Sequence, residues 1–308
     1  MFKKLVLILS FTSSLAFANP TNVHVVWPSD IGGTQANRVR YLVEQGNLMQ
    51  DKYRFIFINK PGAGGTIGAN YLETSSDISV MVWTSSWFVR PIFYPNASYD
   101  INQFKPVMIQ CTGFPYTILS KKYKSLKELK AQKSISIGTI PGSAAESLVR
   151  ELQKQLSPDT EVVFIPYPSM GQPRLDVIGG QIDANVDLGR DSEQWVTDRK
   201  LNVIGISGTK SFGPYRSFSS QNIHGFEKLT SVFFIVTKKS LDPVITQELA
   251  EIFKKINRTP DMQQQLNDDF CTPRDLDEKQ TNELYNKWVE YWPSILQPTP
   301  ENKNNSVK

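Results

Sequence analysis

Tyr53-Arg54-Phe55-Ile56-Phe57-Ile58 leads directly into Asn59-Lys60-Pro61-Gly62-Ala63-Gly64-Gly65-Thr66-Ile67-Gly68-Ala69. The aromatic and β-branched residues of the first part predict a strand. Glycines at 62, 64 and 65 permit a tight turn that can approach a ligand closely. A helix opening at Thr66 would aim unbonded N–H groups and the positive end of its dipole into that turn. Such a junction suits a carboxylate or a phosphate. It is not a Walker loop, because no Gly-Lys-Ser/Thr closes it, and its glycine spacing is not the dinucleotide fingerprint. A sharp turn with no ligand is the plainer reading of this stretch alone.

The same grammar recurs on both sides of it. Val23-His24-Val25-Val26-Trp27 predicts a first strand, followed by Pro28-Ser29-Asp30-Ile31-Gly32-Gly33-Thr34 and a helix over 34–45. Val80-Met81-Val82-Trp83 predicts a third strand and runs into Thr84-Ser85-Ser86. A strand over 134–138 is followed by Thr139-Ile140-Pro141-Gly142-Ser143-Ala144 and a helix over 144–156. Apolar strands alternating with helices argue for parallel sheets covered on both faces. Four small-residue turns that all follow strands would then share the edges where such sheets take ligands.

Two stretches break the alternation. Residues 107–121 form a long extended run interrupted by Gly113 and Pro115, and residues 231–237 form another. They read as a crossover between two α/β lobes and its return. The expected division is residues 19–113 with 231–296 in one lobe and 114–230 in the other, with a ligand cleft between them. Further strands are expected over 161–165, 182–186 and 201–206, and helices over 173–179, 244–257, 261–267 and 279–291. The polar, Pro/Asn-rich residues 297–308 read as a flexible tail.

The first eighteen residues read as a signal peptide. Lys3 and Lys4 precede an apolar segment, and Ala16-Phe17-Ala18 forms a cleavage site. The apolar segment is too short to span a membrane. The expectation is export to the periplasm and a mature chain that starts at Asn19. Removal of Lys3 and Lys4 takes the balance from +4 to +2, with basic residues dispersed, which implies neither nucleic acid nor a membrane surface as partner. Cys111 and Cys271 are the only cysteines. Export allows them to pair, and two buried thiols fit the sequence equally well.

Candidate catalytic chemistry is sparse. His24 and His224 are the only histidines, they lack metal-ligand spacing, and no Gly-x-Ser-x-Gly elbow is present. Two cysteines without a neighbouring histidine do not form a zinc set. Asp183 and Asp187 could serve a carboxylate-dependent hydrolase, but nothing distinguishes them among thirty Asp and Glu residues. The expectation is a binding protein with no enzyme activity, no metal and no cofactor.

At this level of detail the chain resembles the Bug family, the TctC-like receptors of tripartite tricarboxylate transporters. The Pro-Gly-Ala-Gly-Gly block at 61–65 and the Gly179-Gly180-Gln181-Ile182-Asp183 block carry the likeness. Tyr99-Asp100, Phe104-Lys105-Pro106-Val107, Val163-Phe164-Ile165-Pro166-Tyr167 and residues 201–207 occur in the same order, so the likeness spans about 22–275. The resemblance implies a type II periplasmic-binding-protein fold whose two lobes close on a small organic carboxylate, a di- or tricarboxylate or an aromatic acid. It also implies delivery to membrane transporter subunits by a monomer with no membrane insertion. A ligand-loaded partner of a membrane sensor would use the same pocket.

Site residues carried over from the family are Ile31, Gly32, Gly33 and Thr34, with Trp27 at the preceding strand end. Ala63, Gly64 and Gly65 match in the second turn and Thr84 and Ser85 after the third strand. In the second lobe they are Thr139, Ser143, Ala144 and Asp187, the last expected to face the cleft. Departures are Ala36 in place of an aspartate, Trp27 in place of phenylalanine, and Ser147 where a histidine is usual. Loss of the aspartate disfavours an amino-acid ligand. Trp27, Trp83, Trp87 and Phe88 could stack an aromatic ring or fill the lobe cores.

Overall fold

The computed structural model describes residues 19–95, 99–156 and 158–296. The expected signal peptide and tail lie outside them. Among the described residues, no helix is long and apolar enough to cross a membrane.

The chain opens with β1 (Thr21–Trp27), α1 (Thr34–Met49), β2 (Tyr53–Asn59), α2 (Thr66–Thr74), β3 (Ile78–Thr84) and α3 (Ser86–Phe93). β1 pairs in parallel with both β2 and β3, so Val25 stands between Phe57 and Val80. Val23, Val25, Val26 and the Val80–Val82 run are fully buried, as expected of central strands covered on both faces. β4 (Phe104–Ser120) then crosses to a second unit made of α4 (Leu126–Lys130), β5 (Ser134–Thr139), α5 (Ala144–Gln155), β6 (Glu161–Pro166), α6 (Gly171–Gly179), β7 (Ala184–Leu188), α7 (Glu193–Thr197) and β8 (Asn202–Ile206). β9 (Thr230–Lys238) returns to the first unit. α8 (Pro243–Asn257), α9 (Pro260–Asp268), β10 (Thr272–Pro273) and α10 (Glu278–Ile295) finish it.

β4 is what makes two lobes from one chain. Its first part, from Phe104 to Pro115, pairs antiparallel with β9, and its second part pairs antiparallel with β7 and β8. One strand therefore belongs to both sheets. The register slips between Thr112 and Phe114, around Gly113, whose φ of 78° suits glycine.

The parallel-sheet expectation needs correcting on this point. β1–β3 are parallel to one another, as are β5–β7, but β9 runs antiparallel to β3 in the first lobe and β4 runs antiparallel to β7 in the second, so both sheets are mixed. A strand that enters a second lobe and a strand that returns must run in opposite directions. The other differences concern ends of elements and the short α4, α7 and β10, which the sequence reading leaves out. α1 runs past residue 45 to Met49, and α10 runs past 291 to Ile295 through Pro293. α3 was not anticipated. Its interior Pro91 and bulky Ser86–Phe93 sequence hide a helix that packs Trp87, Phe88 and Val89 inward.

The cores hold large aromatics. Trp87 is fully buried, stacks on Tyr99 at 4.3 Å and donates its indole N–H to Tyr285 Oη at 2.8 Å. Phe88 lies against Phe234 and Tyr285. Burying such a ring contributes about 1.5–3 kcal/mol, and these two residues are core rather than cleft. Cys111 of β4 and Cys271 are joined in a disulfide with a Cα–Cα distance of 5.6 Å, which resolves the pairing that the sequence left open. Thr272 and Pro273, just beyond Cys271, pair with Thr112 and Cys111.

Candidate functional site

The C-terminal ends of the strands converge on a cavity of about 260 Å³ between the lobes. All four small-residue turns reach it. Trp27, Gly32 and Gly33 contribute from the first, Gly62, Gly64 and Gly65 from the second, Thr84 and Ser86 from the third, and Ile140 and Ser143 from the fourth.

The first turn is braced by Asn59 at the end of β2. Its amide donates to the Trp27 carbonyl at 3.0 Å and to the Ser29 carbonyl at 2.7 Å. Trp27 Nε1 donates to the Asp30 carbonyl at 2.7 Å, so this indole is spent on its own turn. In the second turn Gly64 (φ 59°) and Gly65 (φ 96°) are left-handed, and the Gly65 amide closes onto the Gly62 carbonyl at 3.0 Å. The Gly64 amide has no hydrogen-bond partner among the described residues. Trp83 packs against this turn, and a Cβ on Gly65 would sit 3.0 Å from its ring. The Trp83 indole N–H is buried and has no partner among the described residues. A Gly65→Ala substitution combines a left-handed φ with this contact. It is expected to destabilise the protein by about 1–3 kcal/mol and to shift tryptophan emission. A urea midpoint and spectrum equal to the parent's would refute the packing argument.

Charged groups meet at the other wall. Arg174 of α6 donates from Nε and Nη2 to the two carboxylate oxygens of Asp187, each at 2.8 Å, and from Nη2 to Asp191 at 3.4 Å. Burial pulls the guanidinium down, but Asp187 and Asp191 outweigh it and hold its proton more firmly than usual. Ser192 Oγ also donates to Asp187. Asp191 reaches across the cleft. It accepts from Thr34 Oγ1 at 2.6 Å, the Thr34 amide at 3.4 Å and Gln35 Nε2 at 3.0 Å. Burial and the neighbouring Asp187 push the Asp191 carboxyl above the usual range, opposed by Arg174 and Thr34. Asp269 accepts from the buried Arg38 and, at 3.3 Å, from Thr34. Burial, only partly offset by Asp191, lowers the Arg38 guanidinium to about 10.

Seven of the fourteen carried-over residues line the cavity: Trp27, Gly32, Gly33, Gly64, Gly65, Thr84 and Ser143. The other seven sit elsewhere. Ile31 is 55% exposed, and Ala63 is also turned to solvent. Thr34 is engaged by Asp191. Ser85 is buried and exchanges hydrogen bonds with β9, its amide to Ser231 Oγ and its hydroxyl from the Val232 amide, each at 3.1 Å. Thr139 is buried behind the wall, and the Ala144 amide is capped by Ser86 Oγ at 3.3 Å from the other lobe. Asp187 does not face the cleft as expected, because its carboxylate is buried and taken by Arg174. Sequence reasoning missed Asp30, Tyr116, Met170, Gly171, Arg174 and Asp191, all on the cavity wall. Pro168-Ser169-Met170-Gly171 follows β6 with the same small-residue grammar as the other turns, and that signal could have found Arg174.

The histidines stay out of the site. His24 is hydrogen-bonded to Tyr71 Oη at 2.7 Å and His224 to Glu227 at 2.8 Å. Among the described residues, no group of three or more His, Cys, Asp or Glu could hold a metal ion.

Known proteins share this architecture. The solved periplasmic binding protein BugD aligns over 89% of this chain and 96% of its own, with a TM-score of 0.77 at 19% identity. An adipate-bound R. palustris protein aligns over 90% and 96%, with a TM-score of 0.79 at 18% identity. MatC from Rhodopseudomonas palustris with bound malate aligns over 89% and 98%, with a TM-score of 0.75 at 17% identity. At sequence level, a UPF0065 protein from the TAR-I ttuE-ttuC' intergenic region of Agrobacterium vitis is 24% identical over 277 residues, covering 83% of this chain and 80% of its own. The family model of the tripartite tricarboxylate transporter family receptor, TctC, matches residues 43–299. With the model spanning most of the sequence and the two-lobed α/β fold in agreement, the chain belongs to the TctC family of tripartite tricarboxylate transporter receptors, and it is a receptor rather than an enzyme.

Proposed function

We propose that this protein is an extracytoplasmic solute receptor that binds a small organic carboxylate between its lobes and hands it to a tripartite tricarboxylate-type membrane transporter. One observation carries the reading. Gly62, Gly64 and Gly65 of the second turn line the cavity, the Gly64 amide has no partner among the described residues, and the buried, likewise unpartnered indole N–H of Trp83 lies beside Gly65. Hydrogen bonds from such donors to a carboxylate are charge-assisted, each worth roughly 1.5–3 kcal/mol. Adipate and malate in the related structures agree with an acid as ligand.

The lobes in this reading comprise 19–113 with 231–296 and 114–230, closing by a bend near Gly113 and Pro115. Export through residues 1–18 would put the receptor in the periplasm, where it works as a monomer without cofactor or metal.

The test is a thermal-shift and fluorescence screen of the mature chain against mono-, di- and tricarboxylates and aromatic acids. Ligand at a hundredfold excess over Kd is expected to stabilise by about 2.7 kcal/mol and to change emission from Trp27 and Trp83, which line the cavity. No response to any carboxylate at millimolar concentration would sink the proposal.

A further inference from the structure

The two glycine turns of the first lobe look equivalent in sequence, yet their charge environments in the structure are opposite. At the first turn the opening of α1 is already served by an anion. Asp191 accepts from the Thr34 hydroxyl, the Thr34 amide and Gln35, and a Cβ on Gly33 would lie 3.5 Å from its Oδ2. Asp30 adds a second carboxylate to the cavity wall, 3.5 Å from the Cβ position of Gly171. The wall's guanidinium, Arg174, is held bidentate by Asp187, so its charge is matched before any ligand arrives.

At the second turn the balance is reversed. A Cβ on Gly64 would lie 3.2 Å from Arg90 Nη1, which donates to the Pro141 carbonyl at 3.1 Å rather than to a carboxylate. The unpartnered Nε1 of Trp83, a residue 7% exposed, lies beside the same turn, 3.3 Å from the Cβ position of Gly65. α2 opens there. The rest of the wall is mainly apolar, with Trp27, Pro28, Pro61, Met170 and Leu188, and carries the polar Thr84, Ser86, Tyr116 and Ser169 as well.

We propose that the ligand carries a single carboxylate on an apolar body, seated at Gly64, the start of α2 and Trp83 Nε1, and that Asp191 is the specificity residue that excludes a second carboxylate. Asp191 does so by occupying the first turn and by facing any incoming anion with its own charge. This inference rests on the receptor reading and narrows it. It also separates this chain from relatives seen with adipate or malate.

The experiment is isothermal titration of the mature protein at one salt concentration with matched pairs: hexanoate against adipate, benzoate against terephthalate, and citrate alone. The monocarboxylate of at least one pair is expected to bind tenfold or more tightly than its dicarboxylate partner, with citrate weakest. Asp191→Asn keeps the side chain's shape and removes its charge, and it is expected to shift the dicarboxylate-to-monocarboxylate affinity ratio at least tenfold toward the dicarboxylate. Trp83→Phe is expected to weaken the monocarboxylate about tenfold. Equal or tighter binding of a dicarboxylate or citrate by the parent protein overturns this inference and leaves the receptor reading intact. That comparison needs no variant to fold. Silence from every acid overturns both.

Discussion

Replacing Arg174 with alanine is expected to lower the unfolding free energy by about 3–5 kcal/mol. Asp187 is fully buried, and its two carboxylate oxygens rely on the Arg174 fork. Without the arginine, the Ser192 hydroxyl and the Leu188 amide at 3.0 Å still donate to it, but no cation balances it. Most of the loss comes from the stranded charge rather than from the missing bond. Combining Arg174→Ala with Asp187→Asn should therefore recover a large part of it. Urea denaturation of the two variants, read as a cycle, checks this. A single variant within 1 kcal/mol of the parent, or a double variant no better than the single, would show that solvent reaches Asp187.

The second large effect is expected from opening the disulfide. Cys111 and Cys271 are 160 residues apart, and closing a loop of that length limits the unfolded chain by about 5 kcal/mol in the chain-entropy model, with 2–5 kcal/mol typically measured. This disulfide also anchors the segment that ends in it. Just before Cys271, Asp269 holds Arg38, the Asp268 carbonyl accepts from Arg190 at 3.1 Å, and Phe270 stacks on Phe212 at 4.0 Å. Cys111→Ala/Cys271→Ala is expected to unfold at clearly lower urea and to lose this contact between the lobes. Oxidised and reduced parent protein should differ in the same direction. Coincident unfolding curves would mean that strand pairing and packing alone hold the segment.

Much of the architecture can be read locally. Val23–Trp27, Tyr53–Ile58 and Val80–Trp83 are runs rich in β-branched and aromatic residues that read as strands, and each is followed by glycine or serine where a helix must open. The extended 107–121 run betrayed the crossover because no helix period fits it. The direction of β4 was not legible, since nothing in Phe104–Ser120 says which neighbours it will meet. α3 was hidden because Trp87, Phe88, Pro91 and Phe93 have poor helix propensity and are helical only through the core that they fill.

The site divides the same way. Turns built from Gly32, Gly33, Gly64 and Gly65 announce a place for an anion, because left-handed backbone and a free helix end are properties of a few consecutive residues. Which turn still has its place open is a property of residues distant in the chain. Asp191 meets Thr34 across 157 positions, and Arg90 comes beside Gly64 only because α3 packs where it does. Local backbone geometry is written in neighbouring residues, whereas the balance of charge around a cavity emerges only when the lobes meet.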